Sequence, residues 1–329
     1  MKIRRVRLVH RPQTAIRPED FRIDEGMLPA LGPEQVLLRS LYLPMDPYLL
    51  RFMREWRGPQ PEWAEGIIIG RVIGEVLESR SAQFAVGDLV LGNAHWQELD
   101  VCQGADLQRI ALPRERVTAA VSVLGSSGHT AWIGMTQILQ PLAGHTVSIS
   151  AAAGTVGGIA GQIAMLLGCR VVGIAGGKEK CDHVVQELGF HACVDYQSTA
   201  FDALLAAAAP DGLDRHFENV GARMLDAFLG LANDHARVAL CGLIAHYQDD
   251  APVALHRFRD LLYKAIAIQP FRVADYPHLQ PLARQQLEQW LMQGKLKVRE
   301  TITHGLELAP QAYVAMLAGR GTGKHLVKL

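Results

Sequence analysis

One stretch limits the possible folds more than any other. The run Ala151-Ala152-Ala153-Gly154-Thr155-Val156-Gly157 directly follows an apolar strand-like segment, 147–151, and opens a helical pattern over 156–167. Glycines at a strand-to-helix turn let backbone approach a phosphate with no side chain in the way, and the helix start offers N–H groups at its positive end. Gly154 and Gly157 stand for the last two glycines of Gly-x-Gly-x-x-Gly, with Ala152 in place of the first. Such a turn alone could be a purely structural loop. Its setting points further: strand-like runs at 170–175, 192–195, 215–218, 238–241 and 265–269 follow 147–151, with helical stretches at 178–188, 199–209 and 222–232 between them. Another helix, 279–293, follows the last strand, and only the gap before 265–269 reads as non-helical. This α/β alternation predicts a doubly wound parallel sheet of dinucleotide-binding size.

The end of the second strand indicates which dinucleotide, because an acid there holds the ribose 2′-hydroxyl of NAD and repels the 2′-phosphate of NADP. Here the strand runs Val172-Gly173-Ile174-Ala175-Gly176-Gly177-Lys178 without an acid, and Glu179 lies in the next helix between Lys178 and Lys180. NADP(H) is therefore the expected cofactor. Lysines are slightly unfavourable at a helix start unless an anion sits nearby, although they could merely solvate it.

The first part of the chain reads differently. Strand-like segments at 1–10, 36–40, 67–78, 88–91 and 107–111 are separated by turn signals such as Gly87-Asp88 and Gly92-Asn93, a β-barrel texture. Segments 298–304 and 324–329 are strand-like edges with no place in the parallel sheet, so they are expected to rejoin the barrel. The expected division is a barrel domain, 1–120 completed by 298–329, and a Rossmann domain, 121–297. A length of 329 residues fits two domains.

Composition narrows the partners. Thirty-three basic and 33 acidic residues leave no cationic excess for nucleic acid or an anionic membrane surface, so the expected partner is a small molecule. No apolar run reaches the roughly 18 residues of a membrane span, and no signal-peptide core follows Met1. Cys102, Cys169, Cys181, Cys193 and Cys241 lie singly with no Cys-x-x-Cys pair, which suits a reducing cytoplasm. His95, His129, His145, His246 and His256 show no ligand spacing.

Several further motifs carry a resemblance: Met45-Asp46-Pro47-Tyr48, Phe84-x-x-Gly87-Asp88-x-Val90, Gly161-Gln162-Ile163-Ala164, Gly168 to Gly173, Glu187-Leu188-Gly189-Phe190 and Glu218-Asn219-Val220-Gly221. In that order, with the glycine loop, they resemble the zinc-independent medium-chain dehydrogenase/reductases. The likeness is to the NADPH-dependent 2-alkenal and enone reductases, the prostaglandin reductase-like and curcumin reductase-like group. It implies a GroES-like β-barrel catalytic domain beside the Rossmann domain. It also implies hydride transfer from NADPH to the C=C bond of an α,β-unsaturated ketone or aldehyde. Met45, Asp46, Arg71 and Val72 stand where zinc-dependent relatives carry ligands, so no metal is expected.

The resemblance further implies that Gly154, Thr155, Val156 and Gly157 hold the pyrophosphate, and that Lys180 and Tyr196 flank the 2′-phosphate. Asn219 would contact the nicotinamide ribose region, with Cys241, Gly242, Leu243 and Tyr247 in the loop over the nicotinamide. Asn219 could equally cap the helix that follows, and Tyr196 could be an ordinary surface tyrosine. Tyr247 is the first candidate for donating to the carbonyl oxygen, its alternative role being to pack on the cofactor; Tyr48 is the second candidate for substrate contact. Asp46-Pro47-Tyr48-Leu49-Leu50 lacks the basic residue usual in the group, and Gly321 replaces its usual Asn. The alternatives are an NADPH:quinone oxidoreductase and a catalytically silent NADP-binding protein. The strand at 265–269 should lie at a sheet edge and pair across a homodimer.

Overall fold

Lys2–Leu8 buries Ile3, Val6 and Leu8 and forms strand β1. It pairs antiparallel with β2 (Phe21–Met27), Leu8 opposite Phe21. Next come β3 (Gln35–Pro44), the short helix α1 (Leu50–Met53), β4 (Ile69–Ser79), β5 (Leu89–His95), β6 (Leu99–Gln103) and β7 (Leu107–Arg109). The expected barrel strands are thus joined by β2 and β6, which carry too many polar residues for the pattern to single out. This computed structural model describes every residue except Trp56, Arg57 and Asp249. It divides into one unit of 1–120 with 300–329 and a second of 121–299.

The second unit begins with α2 (Ser126–Ile133), which the sequence did not mark as a helix, and continues β8 (Thr146–Ile149), α3 (Thr155–Leu166), β9 (Arg170–Ala175), α4 (Lys178–Gln186) and β10 (Ala192–Asp195). There follow α5 (Phe201–Ala208), β11 (Leu213–Glu218), α6 (Ala222–Leu231), β12 (Ala232–Leu240), α7 (Phe258–Tyr263), β13 (Ala267–Pro270) and α8 (Gln280–Met292). The strands form a parallel sheet in the order β10-β9-β8-β11-β12-β13. The order reverses between β8 and β11, and ligands of such sheets lie beyond the strand ends at that point. Val172, Ile174, Val194, Phe201, Leu205 and Met224 make one buried cluster; Leu213, Leu225, Phe228, Leu229 and Val238 belong to another.

The structure departs from the sequence reading at several elements of this sheet. β8 stops at Ile149 rather than 151, because Ala151 turns the chain with φ +50°. β13 starts at Ala267 rather than 265, since Ala265 takes φ +51°. The gap before β13, expected to be non-helical, holds α7, a helix too short for its periodicity to register.

In the first unit, β14 (Glu300–His304), α9 (Ala309–Leu317) and β15 (Lys324–Lys328) complete a sheet ordered β14-β15-β3-β4-β5-β7, with β6 also on β3. Leu326 pairs with Pro44 and Lys328 with Tyr42. Tyr313 of α9 meets Trp96 edge-on at 5.9 Å and Phe21 at 6.4 Å in the core of this unit.

Candidate functional site

Gly154 precedes the first residue of α3, and no side chain caps it. The first intrahelical bond there runs from Gly158 N–H to the Gly154 carbonyl, 2.9 Å, so Thr155, Val156 and Gly157 present N–H groups without an intrahelical acceptor. A Cβ at Gly157 would lie 2.4 Å from the Ala151 carbonyl oxygen, and one at Gly161 would lie 1.9 Å from the Phe190 ring. The first glycine keeps the loop tight; the second lets α3 settle against Phe190. Bare N–H groups in a cradle that a Cβ would fill suit a pyrophosphate.

Beyond β9 the chain turns through Gly176 and Gly177, whose φ is +86°. Asp195 holds this turn, accepting from Gly177 N–H at 2.8 Å and Gln197 N–H at 2.9 Å. Both bonds fall on Oδ1, which is thereby committed to backbone. Lys178 points to solvent and pairs with Asp182 at 2.5 Å, whereas Lys180 is half-buried. Burial pulls the Lys180 ammonium below its ordinary range, with Glu179 opposing, and an anion would reverse that loss. Tyr196 packs where a Cβ at Gly176 would touch its ring at 2.8 Å. Arg223, which the sequence reading missed, donates to the Tyr196 carbonyl at 2.8 Å and lies 5.8 Å from its ring. Only the folded α6 reveals that second cation.

Asn219 leaves the end of β11 and the 241–247 loop leaves β12, and backbone bonds join them. Cys241 and Gly242 N–H both donate to the Glu218 carbonyl, at 2.9 and 3.1 Å; Ile244 N–H reaches the Asn219 carbonyl at 3.2 Å, and Ala245 N–H that of Val220 at 3.0 Å. His246 Nε2 accepts from Ala222 N–H at 3.2 Å, and its ring occupies the space a Cβ at Gly221 would need. The Tyr247 hydroxyl accepts from Leu243 N–H at 3.1 Å and turns back toward Gly242. A phenol that accepts this N–H can still donate its proton. Burial, then the Glu218 carboxylate, push the Cys241 thiol up to about 12, which keeps it a neutral thiol rather than a nucleophile. Asn219, Cys241, Gly242, Leu243 and Tyr247 thus share one framework at the carboxyl ends of adjacent parallel strands.

In the first unit, Tyr48 sits on the turn Pro47–Leu49 that Asp46 introduces. Asp46 Oδ1 meets the buried Lys324 ammonium at 2.5 Å, tying this turn to β15. Tyr48 keeps 41% of its surface exposed, yet its crowded surroundings, then the Asp46 carboxylate, push its phenol up to about 12. It is a donor throughout the neutral range. Gly321, with φ +79°, has no room for a side chain: a Cβ would lie 2.6 Å from His325 and 2.9 Å from Thr301 Oγ1.

A family profile described as the N-terminal domain of oxidoreductase matches residues 4–110, and one described as zinc-binding dehydrogenase matches 155–289. Among the described residues no three His, Cys, Asp or Glu side chains converge as a metal would need, so the chain does not fit the zinc of the second description. The NADPH-dependent curcumin reductase of Escherichia coli is 38% identical over 99% of this chain and 96% of its own. The NADP(+)-dependent 2-alkenal reductase of Nicotiana tabacum is 38% identical over 90% and 88%. The crystal structure of CurA from Vibrio vulnificus in complex with NADPH superposes with a TM-score of 0.92 at 36% identity, over 99% of this chain and 98% of that one.

Proposed function

The chain belongs to the NADPH-dependent alkenal and enone reductases of the zinc-independent medium-chain dehydrogenase/reductase family, and from that premise we propose which residues carry the reaction. It is an oxidoreductase that uses NADPH to reduce the C=C bond of α,β-unsaturated ketones and aldehydes. When bound, NADPH supplies the hydride that the substrate β-carbon receives. Negative charge then develops on the carbonyl oxygen, and the chain's part is to place a donor there in advance. Tyr247 is that donor, with Tyr48 as a second phenol for substrate contact. Gly154, Thr155, Val156 and Gly157 hold the pyrophosphate: the last three through backbone N–H groups, and Gly154, whose own N–H donates to the Ala151 carbonyl at 2.9 Å, by shaping the turn; Lys180 and Tyr196 hold the 2′-phosphate, with Arg223 beside Tyr196. Asn219 and the loop of Cys241, Gly242 and Leu243 face the nicotinamide half.

The observation that carries this reading is the pair of strand-end loops tied through the Asn219 and Val220 carbonyls, beside a glycine-lined helix start on the same sheet. NADPH oxidation measured with a simple enone and a benzoquinone side by side tests it. Faster turnover of the enone is expected; reduction of the quinone alone would replace the reading with a quinone oxidoreductase.

Lys180 makes a second test. NADPH should be preferred over NADH by at least about tenfold in KM, since one charge-assisted contact to phosphate is worth about 1.5–3 kcal/mol. Lys180→Ala should remove most of that preference. Equal KM values for both cofactors in the unaltered protein would displace Lys180 from the site.

We also assign the protein to a reducing cytoplasm, in keeping with its five free thiols, and to a homodimer. No helix among the described residues is long and apolar enough to cross a membrane. β13 ends the parallel sheet with an unpaired edge, and α7 just before it exposes Phe258, Leu262 and Tyr263 by 67–80%. Light scattering at micromolar concentration should return twice the chain mass; a monomer mass would refute the dimer.

A further inference from the structure

Four polar side chains lie in the middle of the parallel sheet with no exposed surface: Ser148, Ser150, His216 and Glu218. Register explains their meeting. Ser148 pairs with His216 across β8 and β11, and its Oγ lies 2.8 Å from His216 Nδ1. Two residues along β11, on the same face, Glu218 Oε2 lies 2.6 Å from His216 Nε2, and the imidazole stacks on Phe228 at 4.9 Å. Glu218 Oε1 accepts three donors: the Ser150 hydroxyl at 2.9 Å, Val220 N–H at 2.5 Å and Gly221 N–H at 2.8 Å. A buried polar cluster this completely satisfied holds its members rigidly.

The chain of bonds ends at Asn219. Its backbone N–H donates to Ser150 Oγ at 2.7 Å, and its side-chain Nδ2 donates to the Ser150 carbonyl at 2.8 Å. An amide whose N–H faces a carbonyl must turn its oxygen the other way, because the opposite orientation would set two acceptors against each other. The Ser150 hydroxyl therefore holds the Asn219 backbone and the Ser150 carbonyl holds its amide, while Glu218 holds that hydroxyl; Ser150→Ala removes the first contact and keeps the second.

We infer that Ser150 and Glu218 are positioning residues that fix the Asn219 amide so that it offers NADPH a hydrogen-bond acceptor. This rests on the assignment of Asn219 to the cofactor. The group its Oδ1 selects is a donor, a ribose hydroxyl or the carboxamide N–H, and a carbonyl set against that oxygen would be rejected, while the second Nδ2 hydrogen stays available as a donor. His216 and Ser148 hold the far side of the Glu218 carboxylate.

NADPH titrated into the unaltered enzyme, Ser150→Ala, Asn219→Ala and the double variant, followed by cofactor fluorescence, tests this without turnover. Each single change is expected to weaken binding about tenfold, roughly one hydrogen bond, with the double variant no weaker than Asn219→Ala alone. Independent, multiplying losses would overturn the positioning role while leaving Asn219 at the cofactor. Unchanged binding in Asn219→Ala would remove Asn219 from the cofactor site and overturn the inference with it. Should Ser150→Ala not fold, Asn219→Asp leaves the buried cluster intact and sets an oxygen against the Ser150 carbonyl. It should bind NADPH at least tenfold more weakly with little change in the melting temperature of the cofactor-free protein. Wild-type affinity in that variant would show that the amide N–H does not hold Asn219, and would overturn the inference.

Discussion

Gly157→Ala is expected to weaken NADPH binding by at least about 100-fold. The added Cβ would stand 2.4 Å from the Ala151 carbonyl oxygen and 3.1 Å from Ala152 Cα, and both obstacles are backbone. Overpacking of this kind costs about 1–3 kcal/mol even where neighbours yield. Here the yielding part would be the loop that aims N–H groups at the pyrophosphate, and each charge-assisted bond lost there costs about 1.5–3 kcal/mol more. Gly154→Ala should be milder, because its Cβ would meet the same oxygen at 3.2 Å. Titration of both variants with NADPH gives the ordering directly. If Gly157→Ala bound NADPH within threefold of the unaltered protein, the pyrophosphate would have to lie elsewhere.

Tyr247→Phe is expected to lower kcat/KM on a good enone by about 100-fold or more with little change in NADPH affinity, the scale of removing one oxyanion donor. The substitution keeps the ring and deletes only the hydroxyl that accepts from Leu243 N–H at 3.1 Å. Steady-state rates and cofactor binding together separate the two roles open to this phenol. If it only props the 241–247 loop, NADPH affinity should fall and the chemical step should survive. A variant with wild-type kcat/KM would take Tyr247 off the catalytic list.

The alternation of strand and helix after residue 120 was legible because buried parallel strands write themselves as short apolar runs, and the glycine loop because its residue types have few other uses. Asn219 was legible as a strand end, but its supports were not. Ser148, His216 and Glu218 are polar residues inside strands, and only the register that sets Ser148 beside His216 gives them partners. β12 was read as 238–241 although it spans Ala232–Leu240, since Asn233, Asp234 and His235 interrupt its apolar pattern and His235 adopts φ +61°. α7 hid because it is short: its six residues make less than two turns, so Leu261, which packs on the core, is not repeated as a stripe. Arg223 reaches Tyr196 only through the packing of α6 beside the end of β10, which no spacing along the chain encodes.

The bond from Lys324 to Asp46 spans 278 positions, and the strand that carries Lys324 pairs with β3 from the first part of the chain. A ribosome releases residues in order, so the continuous segment 121–299 has all its strands in hand while the end of β3 still lacks β15. The Rossmann unit can close during synthesis. The unit that leads the sequence closes after it, and until β15 emerges the 42–44 end of β3, beyond the stretch that β6 covers, stays open to any passing strand. Birth order and completion order are reversed in this chain, and its most vulnerable moment falls just before β15 emerges.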